Sequence, residues 1–165
     1  MVNFAASALA LMALAPVIGA VPTADSTFSF TSWVEDIIAN PKGQHLSPEG
    51  AVSAAALNDK GSLEKRVTCN GGRTAPVNDA VSCINQLARE GGECALDGGV
   101  DFCTIGGAKI IGRTGGGGPV HHSVDCNEIA RTAGKIMDAC TTGNVVSGSE
   151  YVPSDVYINV IISGF

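Results

Sequence analysis

Six cysteines, Cys69, Cys83, Cys94, Cys103, Cys126 and Cys140, carry most of the chemistry that this chain of 165 residues can offer. Successive gaps of 14, 11, 9, 23 and 14 residues contain none of the short Cys-x-x-Cys pairs that zinc sites use, so no metal or other cofactor is expected. An even count predicts three disulfides, which form and persist in oxidising compartments. His121 and His122, with Asp125 and Glu128 nearby, are residue types able to bind a metal or move a proton. Adjacent side chains in a loop point apart and no third ligand follows from the spacing, so a surface or helix-capping role is expected and no catalytic residue is assigned. The run from Gly112 to Pro119 is rich in glycine but lacks the Gly-Lys-Ser/Thr ending that cradles nucleotide phosphates. It reads as a flexible loop, and Lys109 and Arg113 beside it are the candidate partner-binding residues.

The remaining charges exclude some partners. All cysteines lie in the last 97 residues, and from Val67 onward six lysines and arginines face ten carboxylates, a formal charge of −4. Such a domain is not expected to bind nucleic acid or an anionic membrane through bulk electrostatics. No Asn-x-Ser/Thr acceptor for N-glycans occurs in the chain.

The chain is expected to mature in two cuts. Residues 1–20 carry no charged side chain and an apolar run from Leu9 to Ile18, a length that suits a signal peptide cleaved after Ala20 and is too short for a membrane span. No later stretch approaches spanning length, so no stable membrane insertion is expected. Residues 21–66 read as a pro-segment with helical stretches at Ser32–Asn40 and Ser47–Leu57, the second opened by a Ser47 cap, Pro48 and Glu49. Lys65-Arg66, just before the cysteines begin, is a site for a kexin-type protease. The mature protein is then 67–165, and since Trp33, the only tryptophan, lies in the pro-segment, it is expected to lack tryptophan emission.

Within the mature domain, an apolar stripe of Val77, Ala80, Ile84, Leu87 and Ala88 predicts a helix from Asn78 to Glu90, ended by Gly91-Gly92. A second stripe, Cys126, Ile129, Ala130, Ala133, Ile136, Met137 and Cys140, predicts a helix from Ser123 to Cys140. Strands are expected at Glu93–Asp97, Val100–Ile105, Ala108–Arg113 and Val156–Ile162, the last central or covered on both faces. The expected fold is α+β, a small disulfide-rich sandwich with two helices packed on one antiparallel sheet. Gly98-Gly99 between the first two strands reads as a two-residue hairpin turn, which would face Cys94 with Cys103 at about 4.5 Å between Cα atoms and join them. Cys126 and Cys140 lie about 21 Å apart along one helix and cannot bond each other. Antiparallel packing of the two helices would bring Cys83 to Cys126 and leave Cys69 for Cys140; Cys69 with Cys126 and Cys83 with Cys140 is the other arrangement.

Asp79-Ala80-Val81-Ser82-Cys83-Ile84, the stretch Phe102-Cys103-Thr104-Ile105-Gly106-Gly107-Ala108-Lys109-Ile110, Cys126 and Cys140, and Val156-Tyr157-Ile158-Asn159-Val160 carry a resemblance over nearly all of 67–165. The region resembles fungal small secreted cysteine-rich proteins related to the killer-protein-four toxins. That resemblance implies an α/β sandwich, an effector or toxin role, and a leaning toward the first arrangement of bridges. Six cysteines, an acidic balance, and Gly143-Asn144 and Ser147-Gly148-Ser149 in place of a cysteine-containing turn depart from the toxins. The expected function is therefore that of a secreted interaction protein, not an enzyme, acting on an unknown host or competitor surface. A secreted hydrolase or nuclease using the histidines with a carboxylate is the alternative.

Overall fold

A computed structural model describes residues 27–57, 67–69, 72–115, 117 and 120–165. Residues 1–20, expected to be a signal peptide, and Lys65-Arg66 lie outside the described residues. The first elements are α1 (Phe30–Ala39), α2 (Pro48–Ala56), β1 (Thr68–Cys69), β2 (Ala75–Pro76) and α3 (Val77–Glu90). After them come β3 (Glu93–Asp97), β4 (Gly99–Ile105), β5 (Ala108–Thr114), β6 (His121–Asp125) and α4 (Cys126–Cys140). The chain closes with β7 (Thr141–Thr142), β8 (Val145–Val146), β9 (Gly148–Val152) and β10 (Asp155–Gly164).

Local chemistry places most helix ends. At α2 the Ser47 hydroxyl accepts the Gly50 N–H at 3.1 Å, with Pro48 in the first turn, as the sequence implies. Helix α3 begins at Val77 instead of after Asn78; Pro76 takes the cap position without a side-chain bond, and the expected stripe is buried. Gly91, at φ 55°, ends it, a backbone conformation glycine adopts at least cost. Helix α4 starts three residues later than expected because His121–Asp125 pairs as a strand, and the Asp125 carboxylate caps the helix by accepting the Asn127 N–H at 2.9 Å.

The α+β, disulfide-rich class holds, and helices form in all four expected stretches, two in 27–57 and two in 67–165, but the described strands make three antiparallel sheets and not one. The main sheet has the order β1-β9-β10-β5-β4, so β10 is a central strand. Helices α3 and α4 cover one face of it, burying Ala108, Ile110, Ile158, Val160 and Ile162, and α1 and α2 lie on the far side of those helices. Layering of this kind lets each amphipathic helix bury its stripe while the strands bury alternate residues. Short sheets β2-β8-β7 and β3-β6 flank the core.

All six cysteines are bonded, as Cys69–Cys140, Cys83–Cys103 and Cys94–Cys126. Cys69–Cys140 is as favoured from the sequence, while the hairpin pair Cys94–Cys103 and the helix pair Cys83–Cys126 are overturned. Strand β3 does not pair with β4: its partner is β6, with Cys94 opposite Val124. Gly98 closes no hairpin; its N–H donates to Val120 O at 3.0 Å and its carbonyl accepts the Thr114 N–H at 2.9 Å, so the chain leaves one sheet for another there. A bulge in β4 between Asp101 and Cys103 then reverses the side-chain phase, setting Asp101 opposite Ile111 but Cys103 opposite the buried Ile110. Cys103 thereby faces α3 and meets Cys83, and Cys94, buried beneath its own sheet, meets the first residue of α4.

Candidate functional site

Two places on the molecule gather side chains with chemistry to offer. The first is an open cleft beside β3 and β6, lined in part by Leu96, Val100, His121 and His122. Strand alternation separates the two histidines: His121 points outward and its Nδ1 lies 3.2 Å from Asp97 Oδ1, with both side chains largely in water. His122 turns inward, 11% exposed, with Nδ1 2.9 Å from Asp155 Oδ2. A carboxylate only accepts, so Nδ1 carries the proton and donates. Asp155 is held in turn, its Oδ1 accepting the Tyr157 N–H at 2.9 Å, and the Tyr157 ring lies 5.8 Å from that of His122. The other ring nitrogen, Nε2, is enclosed and has no hydrogen-bond partner among the described residues. In this arrangement the pair has the orientation of a general base but no open path to a substrate atom.

The second place is the face of the main sheet turned away from the helices. Register sets Gly99, Arg113, Asn159 and Tyr151 in one row across four strands, and Asp101, Ile111, Ile161 and Ser149 in the next. Lys109 and Ser163 follow in a third row. Ile111 and Ile161 are only half-buried, whereas their neighbours Ile110 and Ile162 on the helix side are fully enclosed. Arg113 and Tyr151 are exposed, and Arg113 forms no ion pair among the described residues. Lys109 is engaged: Nζ lies 2.6 Å from Asp101 Oδ2 and 4.8 Å over the Phe165 ring, a salt bridge and a cation–π contact together.

The candidate residues named from the sequence thus fare differently. Lys109 and Arg113 share a face of strand β5, which forms where a strand was expected at Ala108–Arg113 and runs on through Thr114, taking Gly112-Arg113-Thr114 out of the glycine-rich stretch read as a loop. Gly112 is needed there, since a Cβ would strike the Phe102 ring. Asp125 and Glu128 are not the partners of the histidines; one caps α4 and the other accepts from Arg131 Nη1 at 2.7 Å. Ala20, Lys65 and Arg66 lie outside the described residues. Sequence reasoning missed Asp97, which reaches His121 through the β3–β6 pairing, Asp155, which reaches His122 from a strand of another sheet, and Tyr151, on a strand the sequence did not announce. Alternation along Val156–Ile162 already put Asn159 and Ile161 on one face, which was the available signal for the sheet surface.

Among the described residues no group of histidine, cysteine and carboxylate side chains could hold a metal ion, and no helix is long and apolar enough to cross a membrane. No curated protein and no solved structure matches this chain. A family described as a domain of unknown function, DUF8794, matches residues 64–164, a span that takes in every disulfide and begins just before Lys65-Arg66. The chain belongs to that family.

Proposed function

We propose that this chain is the precursor of a secreted, cysteine-rich interaction protein of effector or antimicrobial-toxin type, which acts by binding a host or competitor surface. The observation that carries the reading is the open sheet face, where exposed Arg113 and Tyr151 border the half-buried pair Ile111 and Ile161. Arginine and tyrosine around an apolar centre are what protein interfaces concentrate, because each brings a large contact area together with a polar tip. Three disulfides with no free cysteine fit an oxidising, extracellular setting and hold the strands that present this face. Enclosure of His122 Nε2 favours binding over the hydrolase or nuclease alternative, since a general base must reach the proton it takes. With Lys109 neutralised by Asp101, recognition rests on Arg113 and its apolar neighbours, unlike the mode of a basic toxin.

Growth-inhibition and host-response assays with protein cut after Arg66 test the proposal. The oxidised protein is expected to act and the reduced one to be silent. Arg113→Glu should lower potency at least tenfold with an unchanged circular dichroism spectrum, about the effect of losing one central interface contact. A folded His121→Ala, His122→Ala double variant should keep its potency. Loss of activity in the histidine variant, with Arg113→Glu unaffected, would establish the catalytic alternative instead.

A further inference from the structure

Helix α1 belongs to the stretch read as a pro-segment, yet it is built into the core. Phe30, Trp33, Val34 and Ile37, spaced along a single helix face, are all at least 96% buried, and α1 packs on both α4 and α3. The surface beneath is shaped for it. Gly134 lies in the middle of α4, where glycine weakens a helix relative to alanine, and a Cβ there would come 3.3 Å from Thr31 Cα and 3.4 Å from Phe30 O. That close crossing gives the glycine a reason.

Polar groups on the same surface complete the seat. The Asp138 carboxylate accepts the Phe30 N–H at 2.6 Å, the Thr31 N–H at 3.0 Å and the Thr31 hydroxyl at 2.7 Å. A residue of α4 therefore caps the start of α1, where N–H groups have no partner inside their own helix. Arg131 Nε donates to Glu35 at 2.8 Å while its Nη1 holds Glu128, and Arg89 Nη1 donates to the Pro41 carbonyl at 2.6 Å. None of these contacts depends on the chain between Leu57 and Val67.

We infer that residues 27–57 stay bound to 67–165 after cleavage at Arg66, so that the processed product is a two-chain particle in which the α4 surface is a receptor for the α1 helix. The inference rests on the reading of Lys65-Arg66 as a processing site. It also assigns the segment a structural role and not a masking one, because α1 and α2 sit on the helix side of the core and leave the Arg113 and Tyr151 face open.

The test uses the precursor from Val21 to Phe165, purified oxidised and cut with a kexin-type protease. A denaturing gel and intact mass report the cut; gel filtration at micromolar concentration then reports whether the two pieces travel together. Trp33, the only tryptophan, reports its surroundings directly. Co-elution with the blue-shifted emission of a buried indole is expected. Asp138→Asn, which keeps the shape of the side chain, should raise the dissociation constant of the segment several-fold, and Gly134→Leu at least tenfold. Separate elution of the wild-type segment, or emission that shifts to that of a solvated indole on cutting, overturns the inference. A precursor that stays a single band refutes the processing reading, and the two-chain particle with it.

Discussion

The segment 27–57 and the domain 67–165 share one core but are held in it by opposite means. The segment contains no cysteine and relies on five buried apolar side chains, from Phe30 to Ala51, with a few directed hydrogen bonds. The domain is tied at three points, each bridge joining a strand to a helix: β1 to α4, β4 to α3 and β3 to α4. A crosslink acts chiefly by restricting the unfolded chain, so it keeps its effect if other contacts are lost. Apolar burial acts only while both surfaces are present. One region is therefore made to endure on its own connections, and the other is made to be recognised by its neighbour.

The sharpest way to break this contrast is to remove a bridge from the domain. Cys69 and Cys140 are 71 residues apart, and their loss as a Cys69→Ala, Cys140→Ala pair should cost about 4 kcal/mol in the chain-entropy description, read as a lower urea midpoint. A drop below about 1 kcal/mol would mean that the covalent frame contributes little beyond the shared core. Cutting into the segment should do somewhat less harm. Trp33→Ala removes a side chain only 4% exposed and is expected to lower stability by about 3 kcal/mol, followed by circular dichroism because the fluorophore is gone. A change within 0.5 kcal/mol, roughly the range of surface substitutions, would show that α1 does not contribute to the core.

The smallest effect concerns pH. Glu49, in the first turn of α2, is held below the ordinary glutamate value of 4.5 by its own backbone N–H and then by the Ser47 hydroxyl. A depressed folded pKa means that its contribution is complete above pH 4.5 and is lost as pH falls through the folded value. Acidification should therefore weaken the start of α2, and Glu49→Gln should lack that increment. Carboxyl chemical shifts followed during acid titration check this directly; a Glu49 that titrates at or above 4.5 would refute it.

Helices were the most legible part of the fold because their evidence is local. The stripes of α3 and α4 recur every three or four residues, and every member named from the sequence is buried. Ser47 and Gly91 mark helix boundaries through their own chemistry. The residues of the proposed binding face were half legible: Arg113 and Lys109 stand out as cations, but only the pairing of β4, β5 and β10 shows that Arg113, beside Asn159, forms no ion pair among the described residues and that Lys109 is held by Asp101. No spacing rule could supply Asp155 for His122, 33 residues away.

By itself the sequence determined that there are three bridges, where the amphipathic helices run, that the domain is acidic, and that a dibasic site precedes it, since each is a matter of composition or of periodicity within one segment. Which cysteine meets which was decided by tertiary structure alone. Glycines 98 and 99 allow a hairpin as readily as a crossing between sheets, and a single added residue in β4 turns Cys103 from the open face to the helix face. The outcome depends on the strand that competes for β3, and that strand, His121–Asp125, lies more than twenty residues further on. A pattern with period two carries no record of a bulge or of a distant partner, so side-chain phase and connectivity arise only when the layers pack.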